Sequence, residues 1–238
     1  ALTKVSRGLL STSIEDNGNA TAITIDSSEN VGIGVVPESW TYFSPLQAKR
    51  SALAGSDGQT GVGYNWYFDG AYKYIANDYA LAYQQNATSG VHSWSTAASG
   101  TADNTISWSE RMRIDSSGNL LVGTTSDVVG DSSGSGFSYQ ASSGYLAISR
   151  DTASATAAVQ YLNRTGGDGE FLQFRKDGTT VGSIGVQSSN TLFIAGSSSQ
   201  NTGVRFFNTG VAPCNSSGDY VDNSRDLGAS SVRWDDVY

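Results

Sequence analysis

One short phrase occurs twice, and it commits the chain to strands joined by tight polar turns. Residues 23–34 read ITIDSSENVGIG and residues 112–123 read MRIDSSGNLLVG. Ile23 and Ile25 share one face of an extended segment, because side chains alternate with period two. The turn Asp26–Ser27–Ser28–Glu29–Asn30 follows, and Val31, Ile33 and Val35 resume the alternation. The second copy runs Met112 and Ile114, then Asp115–Ser116–Ser117–Gly118–Asn119, then Leu120 and Val122. Asp and Ser bond the local backbone, and Gly or Asn accepts a positive φ, so both segments turn. Ile25 and Ile114 hold matching places 89 residues apart. That interval exceeds the ~20–50 residues of solenoid repeats, so the phrase is reused punctuation rather than a repeat unit.

Charged residues make up 15% of the chain, against about 25% in ordinary domains. Gly, Ser, Thr, Asn and aromatics crowd the sequence, a mixture suited to turns and half-buried strands and poor for amphipathic helices. With 38% apolar residues, a monomer of 238 residues would bury only a thin core. An elongated β-structure in which identical chains share their interiors answers that shortage. The net charge of −8 and the lack of a basic stripe argue against nucleic acid and against an anionic membrane surface. No apolar run is long enough for membrane insertion as a spanning helix. The first residues do not read as a signal peptide, and Ala1 in place of Met implies that something upstream is removed or not shown. Cys214 is the single cysteine, so no disulfide forms within the chain.

Residues 1–36 read as a narrow β-segment, with Val5, Leu9, Leu10 and Ile14 ahead of the first phrase and Gly8 and Gly18 as breaks. Pro37, Trp40, Tyr42, Phe43 and Pro45 make 37–48 a joint. Residues 49–123 read as a β-domain, a small sandwich or meander, with an aromatic cluster and a hairpin turn at Asp69–Gly70–Ala71. Residues 124–145 are Gly/Ser-rich and read as a linker. A second β-domain is expected over 146–200, with a hairpin at Lys176–Asp177–Gly178–Thr179. Residues 201–238 read as a C-terminal β-segment that stops on Tyr238 in mid-strand, which suggests a truncated or processed end.

Little in the chain points to catalysis. His92 is the only histidine and has no nucleophile motif beside it. One His and one Cys cannot hold zinc within one chain, and neither a calcium ladder nor a phosphate-binding glycine loop is present. No cofactor or metal is therefore expected. Glycan hydrolysis needs two carboxylates roughly 5–10 Å apart. Asp69, Asp78, Asp103, Glu110, Asp168 and Glu170 are candidates, read here as turn and surface carboxylates. Aromatic rings stack on the apolar faces of sugars, so Trp66, Tyr67, Tyr72, Tyr74, Tyr79, Tyr83 and Trp94 are candidate glycan contacts. Asn65, Asp69, Asn77, Asp78 and Gln84 would supply hydroxyl partners. Alternation places Trp66 and Phe68 on one side of a strand and Tyr67 on the other, so one set is expected buried and the other exposed.

AITIDSSENVGIG, YFDGAYKYI, ISWSERMRIDSSGNLLVGTTS, EFLQFRKDGTTVGSIG and DNSRDLGASSVRWDDVY, in that order, resemble tail-fibre proteins of tailed bacteriophages, above all those of marine and freshwater phages. The last phrase resembles the stretch ahead of a self-cleaving chaperone domain of the endosialidase tailspike type. The resemblance implies an all-β, elongated, intertwined homotrimeric fibre on the virion tail, outside the cell. Its implied partners are copies of itself, other tail or baseplate proteins, and host surface polysaccharide or lipopolysaccharide. A polysaccharide-degrading tailspike and a purely structural virion fibre or adaptor are the alternatives.

Overall fold

The computed structural model describes residues 13–15, 21–127, 134–152, 156–198 and 203–222. Val5, Leu9 and Leu10 and the DLGASSVRWDDVY phrase lie outside the described residues. Every regular element among those described is a β-strand. The chain divides into two compact units, residues 1–159 and 160–238.

The first unit opens with β1 (Ser13–Glu15), β2 (Thr21–Ile25), β3 (Val31–Ile33), β4 (Ser44–Ala48), β5 (Ser51–Gly55) and β6 (Gln59–Tyr64). The chain then leaves the sheet as a ribbon, β7 (Trp66–Phe68) and β8 (Tyr72–Tyr74). It returns with β9 (Asp78–Asn86), β10 (Val91–Gly100), β11 (Ser109–Ile114), β12 (Leu120–Val122), β13 (Gly136–Gln140) and β14 (Tyr145–Ser149). All except the ribbon form one twelve-stranded sheet in chain order. Its pairings are antiparallel apart from β3 with β4. The expected boundaries at 49, 123 and 145 therefore do not divide this sheet. The Gly/Ser-rich segment still offers Phe137 and Tyr139 on one side of Ser138, enough alternation for β13 to pair with β12.

The two phrases form the same loop. Asp26 Oδ1 accepts the N–H groups of Ser28 and Asn30 at 2.8 and 2.9 Å, and Asn30 Nδ2 donates to Oδ2 at 2.8 Å. Asp115 holds Ser117 and Asn119 in the same way at 2.9 and 3.0 Å, with Asn119 Nδ2 on Oδ2 at 2.9 Å. A third copy, absent from the sequence reading, is Asn215–Ser216–Ser217–Gly218–Asp219. Here the Asn comes first: its Oδ1 accepts Ser217 and Asp219 N–H at 2.9 Å each, and its Nδ2 donates to Asp219 Oδ2 at 3.1 Å. The fourth residue has φ of 66°, 81° and 83° in the three loops.

The sheet's two faces differ in kind. One presents Ala52, Ala54, Gly61, Gly63, Ala80, Ala82 and Ala97, and aromatic rings seat on it. A Cβ on Gly63 would stand 2.0 Å from Trp66 Nε1, and one on Gly100 would stand 2.2 Å from the Tyr74 ring. The other face carries large apolar side chains in register. Across the strands run Ile25, Val31, Leu46, Leu53, Val62, Tyr83, Trp94, Met112, Val122, Phe137 and Ile148, each opposite the next. Opposed partners project to the same side, so this is one continuous ladder.

The second unit is an antiparallel meander of five strands. They are β15 (Gly169–Lys176), β16 (Thr179–Gln187), β17 (Thr191–Gly196), β18 (Gly203–Phe207) and β19 (Gly210–Cys214). The hairpin at 176–179 forms, with Asp177 and Gly178 at φ 48° and 79°, the left-handed pair a two-residue turn requires. Phe193, Ala195 and Cys214 make the core on one side. Leu172, Ile184, Ile194 and Val204 stand opposite one another on the other side.

The loops predict their own test. Each carboxylate pairs with one amide, in either order, so Asp115→Asn sets two amides against each other. That change is expected to cost about 1.5–3 kcal/mol, the worth of a hydrogen bond to a charged group. The Asp115→Asn/Asn119→Asp exchange reproduces the third loop and is expected to recover most of the loss in thermal unfolding. Burial raises the Asp26 and Asp115 carboxyls, but the hydrogen bonds from Asn30 and Ser28, and from Asn119 and Ser117, hold both below the usual range. A depressed carboxyl contributes stability above its unfolded pKa and loses it as pH falls through the folded value. The unfolding midpoint is therefore expected to fall below about pH 4.

Candidate functional site

The ribbon β7–β8 and its neighbours form an aromatic lid over the small-residue face, and Asn65 sets the lid's position. Asn65 is fully buried and left-handed, at φ 64°. Its Nδ2 donates to Ala76 O and Tyr79 O at 2.9 and 3.0 Å, and its Oδ1 accepts Ala76 N–H at 2.8 Å. The residue where the chain leaves the sheet thus clasps the residues where it returns. Gln47, also fully buried, accepts Trp40 Nε1 at 3.1 Å and Glu38 N–H at 3.0 Å and donates to Lys49 O at 2.9 Å. That bond orients Trp40 edge-on to Trp66 at 5.3 Å between centroids. Phe43 packs edge-on against Trp40, Trp66 and Phe68.

Both sides of the ribbon are enclosed. Trp66 is 1% exposed and Tyr67 5%, so the expected split between a buried and an exposed set does not occur. The reason lies in residues 101–106, which run along the ribbon: Tyr74 N–H donates to Asn104 O, and Ile106 N–H to Tyr72 O. Trp66, Tyr67 and Tyr74 accordingly belong to the interior. Tyr67 keeps one outward link, its hydroxyl donating to Asp103 Oδ1 at 2.9 Å. Burial, that bond and the charges of Asp103, Asp69 and Glu38 push the Tyr67 phenol far above its ordinary value, so it stays a donor. Burial first and Asp103 second also raise the Glu38 carboxyl. Glu38 was not singled out in the sequence, where it reads as one more acidic residue in a Pro-rich joint.

Tyr72 is half-buried, and its hydroxyl accepts Gln84 Nε2 at 3.0 Å and Gln59 Nε2 at 3.4 Å. Its ring lies against Phe68 at 5.1 Å, and Phe68 lies against Tyr42, which is exposed. Lys73 and Asp69 close the ribbon tip with an ion pair of 2.7 Å. Tyr72 faces the sheet with Trp66 and packs against it at 5.4 Å, so Tyr42, 55% exposed, is the ring this end of the lid offers to solvent.

Tyr79, Tyr83 and Trp94 lie elsewhere, on the open apolar face. Tyr83 and Trp94 are tilted together at 4.9 Å, and the Tyr83 hydroxyl shares a 2.6 Å hydrogen bond with His92 Nδ1. His92 is thereby occupied by a phenol rather than a serine. The hydrolytic candidates all have structural partners. Asp69 pairs with Lys73, Asp78 with Arg50 at 3.2 Å, and Glu110 with Arg113 at 2.7 Å. Asp103 accepts Tyr67, Asp168 accepts Ser189 N–H at 2.9 Å, and Glu170 accepts Gln173. Among the described residues no cluster of three His, Cys, Asp or Glu side chains is placed to hold a metal.

No family model, curated protein or solved structure matches the chain.

Asn65→Ala is expected to release the lid. It removes three hydrogen bonds and leaves partly buried backbone groups unpaired, at up to about 1–3 kcal/mol for each group left without a partner. A lowered unfolding midpoint, with tryptophan emission shifted to the red as Trp40 and Trp66 meet water, is the expected readout.

Proposed function

We propose that this chain is a segment of a bacteriophage tail fibre, a homotrimer on the virion that adheres to host surface polysaccharide or lipopolysaccharide. The observation that carries the reading is the uncovered apolar ladder. Leu46, Leu53, Val62 and Leu81 are 42–50% exposed on one continuous face, a contiguous apolar patch of the kind that marks an interaction surface. A chain that spends its large aliphatic side chains this way is built to share them. The all-β strand-and-turn architecture and the order of the phrases quoted above support the fibre assignment.

Adhesion falls to the outer side of the lid. Tyr42 offers an exposed ring face for sugars, and the ion-paired Asp69 and Lys73 at the ribbon tip offer hydrogen-bonding groups. Three copies bring three weak contacts to one surface, and linkage raises their combined strength. Other tail or baseplate proteins would hold the fibre on the virion.

Two measurements test this. Sedimentation of the purified chain is expected to give about three times 24.9 kDa; a monodisperse monomer would remove the basis of the proposal. Binding to lipopolysaccharide and capsule from a panel of aquatic bacteria is expected to drop at least tenfold in Tyr42→Ala at unchanged mass, as loss of a hot-spot aromatic does. Release of reducing ends from the same glycans would instead identify a depolymerase. Absence of binding across hosts would leave a structural fibre.

A further inference from the structure

We infer that the open face of the twelve-stranded sheet is the surface on which copies of this chain pack against one another. The inference rests on the homotrimer proposed above and specifies which surface makes it. The face includes a concavity of about 630 Å³ lined by Ile33, Leu46, Leu53, Val62, Leu81 and Trp94, among others. Arg111 is the one charged residue in that lining, and its Nε is turned to Thr96 Oγ1 at 2.8 Å. No carboxylate lines it.

Three physical arguments select a second copy of this chain as the occupant. The first is charge. Each chain carries a net charge of −8, so copies repel over most of their surface, and this face is where like chains can meet without opposing carboxylates. The second is area. Ten strands from β3 to β14, excluding the ribbon, span about 45 Å at ~4.8 Å per strand. With rows reaching roughly 15 Å along the strands, the face offers on the order of 700 Å² per chain, close to the ~800 Å² per partner of a stable interface. The third is composition. Leu, Val, Ile, Met and Phe in register are the side chains of a sheet-on-sheet core. A sugar would ask for more polar groups, and the lid supplies those on the opposite face. The same sheet therefore turns its aliphatic rows towards its copies and its tyrosine-bearing lid away from them. Tyr79, Tyr83 and Trp94 take part in chain packing on this assignment.

The test compares the full chain, Leu53→Asp/Val62→Asp and Tyr42→Asp by light scattering and far-ultraviolet circular dichroism. The unsubstituted chain and Tyr42→Asp are expected at the same assembled mass. The double variant is expected at one third of it with its strand signal kept. If the double variant keeps the full mass, the copies meet through another surface: the inference fails and the homotrimer stands. If the unsubstituted chain is a monomer, both fail. A dimer that the double variant dissociates would support this face and overturn the threefold count. Should the double variant not fold, hydroxyl-radical footprinting of the unsubstituted protein decides. Normalised to the intrinsic reactivity of each residue type, Leu53, Val62, Leu81 and Trp94 are expected to react several-fold more slowly than Tyr42, and equal normalised reactivity overturns the inference.

Discussion

A β-sheet has two faces, and the described residues of the first unit close only one of them. The closed face is made by subtraction. Alanine and glycine at alternate positions of β5, β6, β9 and β10 remove side-chain volume, and the indoles and phenols of the lid occupy the space. Trp66 can lie against the backbone of β6 only because Gly61 and Gly63 carry nothing there. Aromatic burial on a floor of small residues gives the lid its tight, orthogonal ring packing. The open face is made by addition, with a large apolar residue at nearly every strand crossing.

The second unit repeats the principle on a smaller scale. Phe193 takes the place of the tryptophan, and Gly185 and Gly218 provide the floor: a Cβ on either would stand 2.7 or 2.5 Å from its ring. Arg205 is buried beside it, and among the described residues no carboxylate bonds to it. Its Nη1 donates to Gly218 O at 3.1 Å, and its guanidinium lies 4.1 Å over the Tyr220 ring. Carbonyls and a π-face hold this cation, and through Gly218 it fastens the third polar loop to the sheet. Again the large aliphatic residues, Leu192, Ile194 and Val204, stand on the other side.

Much of this was legible in the sequence wherever the signal was local. The paired DSSEN and DSSGN loops, the Asp69–Gly70 turn and the Asp177–Gly178 turn all form, because each is fixed by side chains within a few residues. Period-two reading also gave β2, β3, β10, β11, β12 and β14 of the apolar ladder, but not β4 or β13, which fall in the stretches read as a joint and a linker. It did not reveal that Tyr67 is enclosed, since that depends on residues 101–106, more than thirty positions along the chain. Asn65 was legible only as a polar residue among aromatics; its role needs both ends of the excursion brought together. The third loop was missed because NSSGD reverses the order of its acid and amide. A pattern search sees letters, whereas the loop requires one donor and one acceptor at its two ends.

The order of strands in the large sheet has a kinetic consequence. Almost every strand pairs with its neighbour along the chain, and the exception, β6 with β9, is bridged by the ribbon. Short loop closures make such pairings fast. Backbone ladders can therefore form in each polypeptide well before its aliphatic rows find cover. On the proposed packing, the folded yield then depends on how soon molecules meet, and dilution would disfavour the native state as directly as heat.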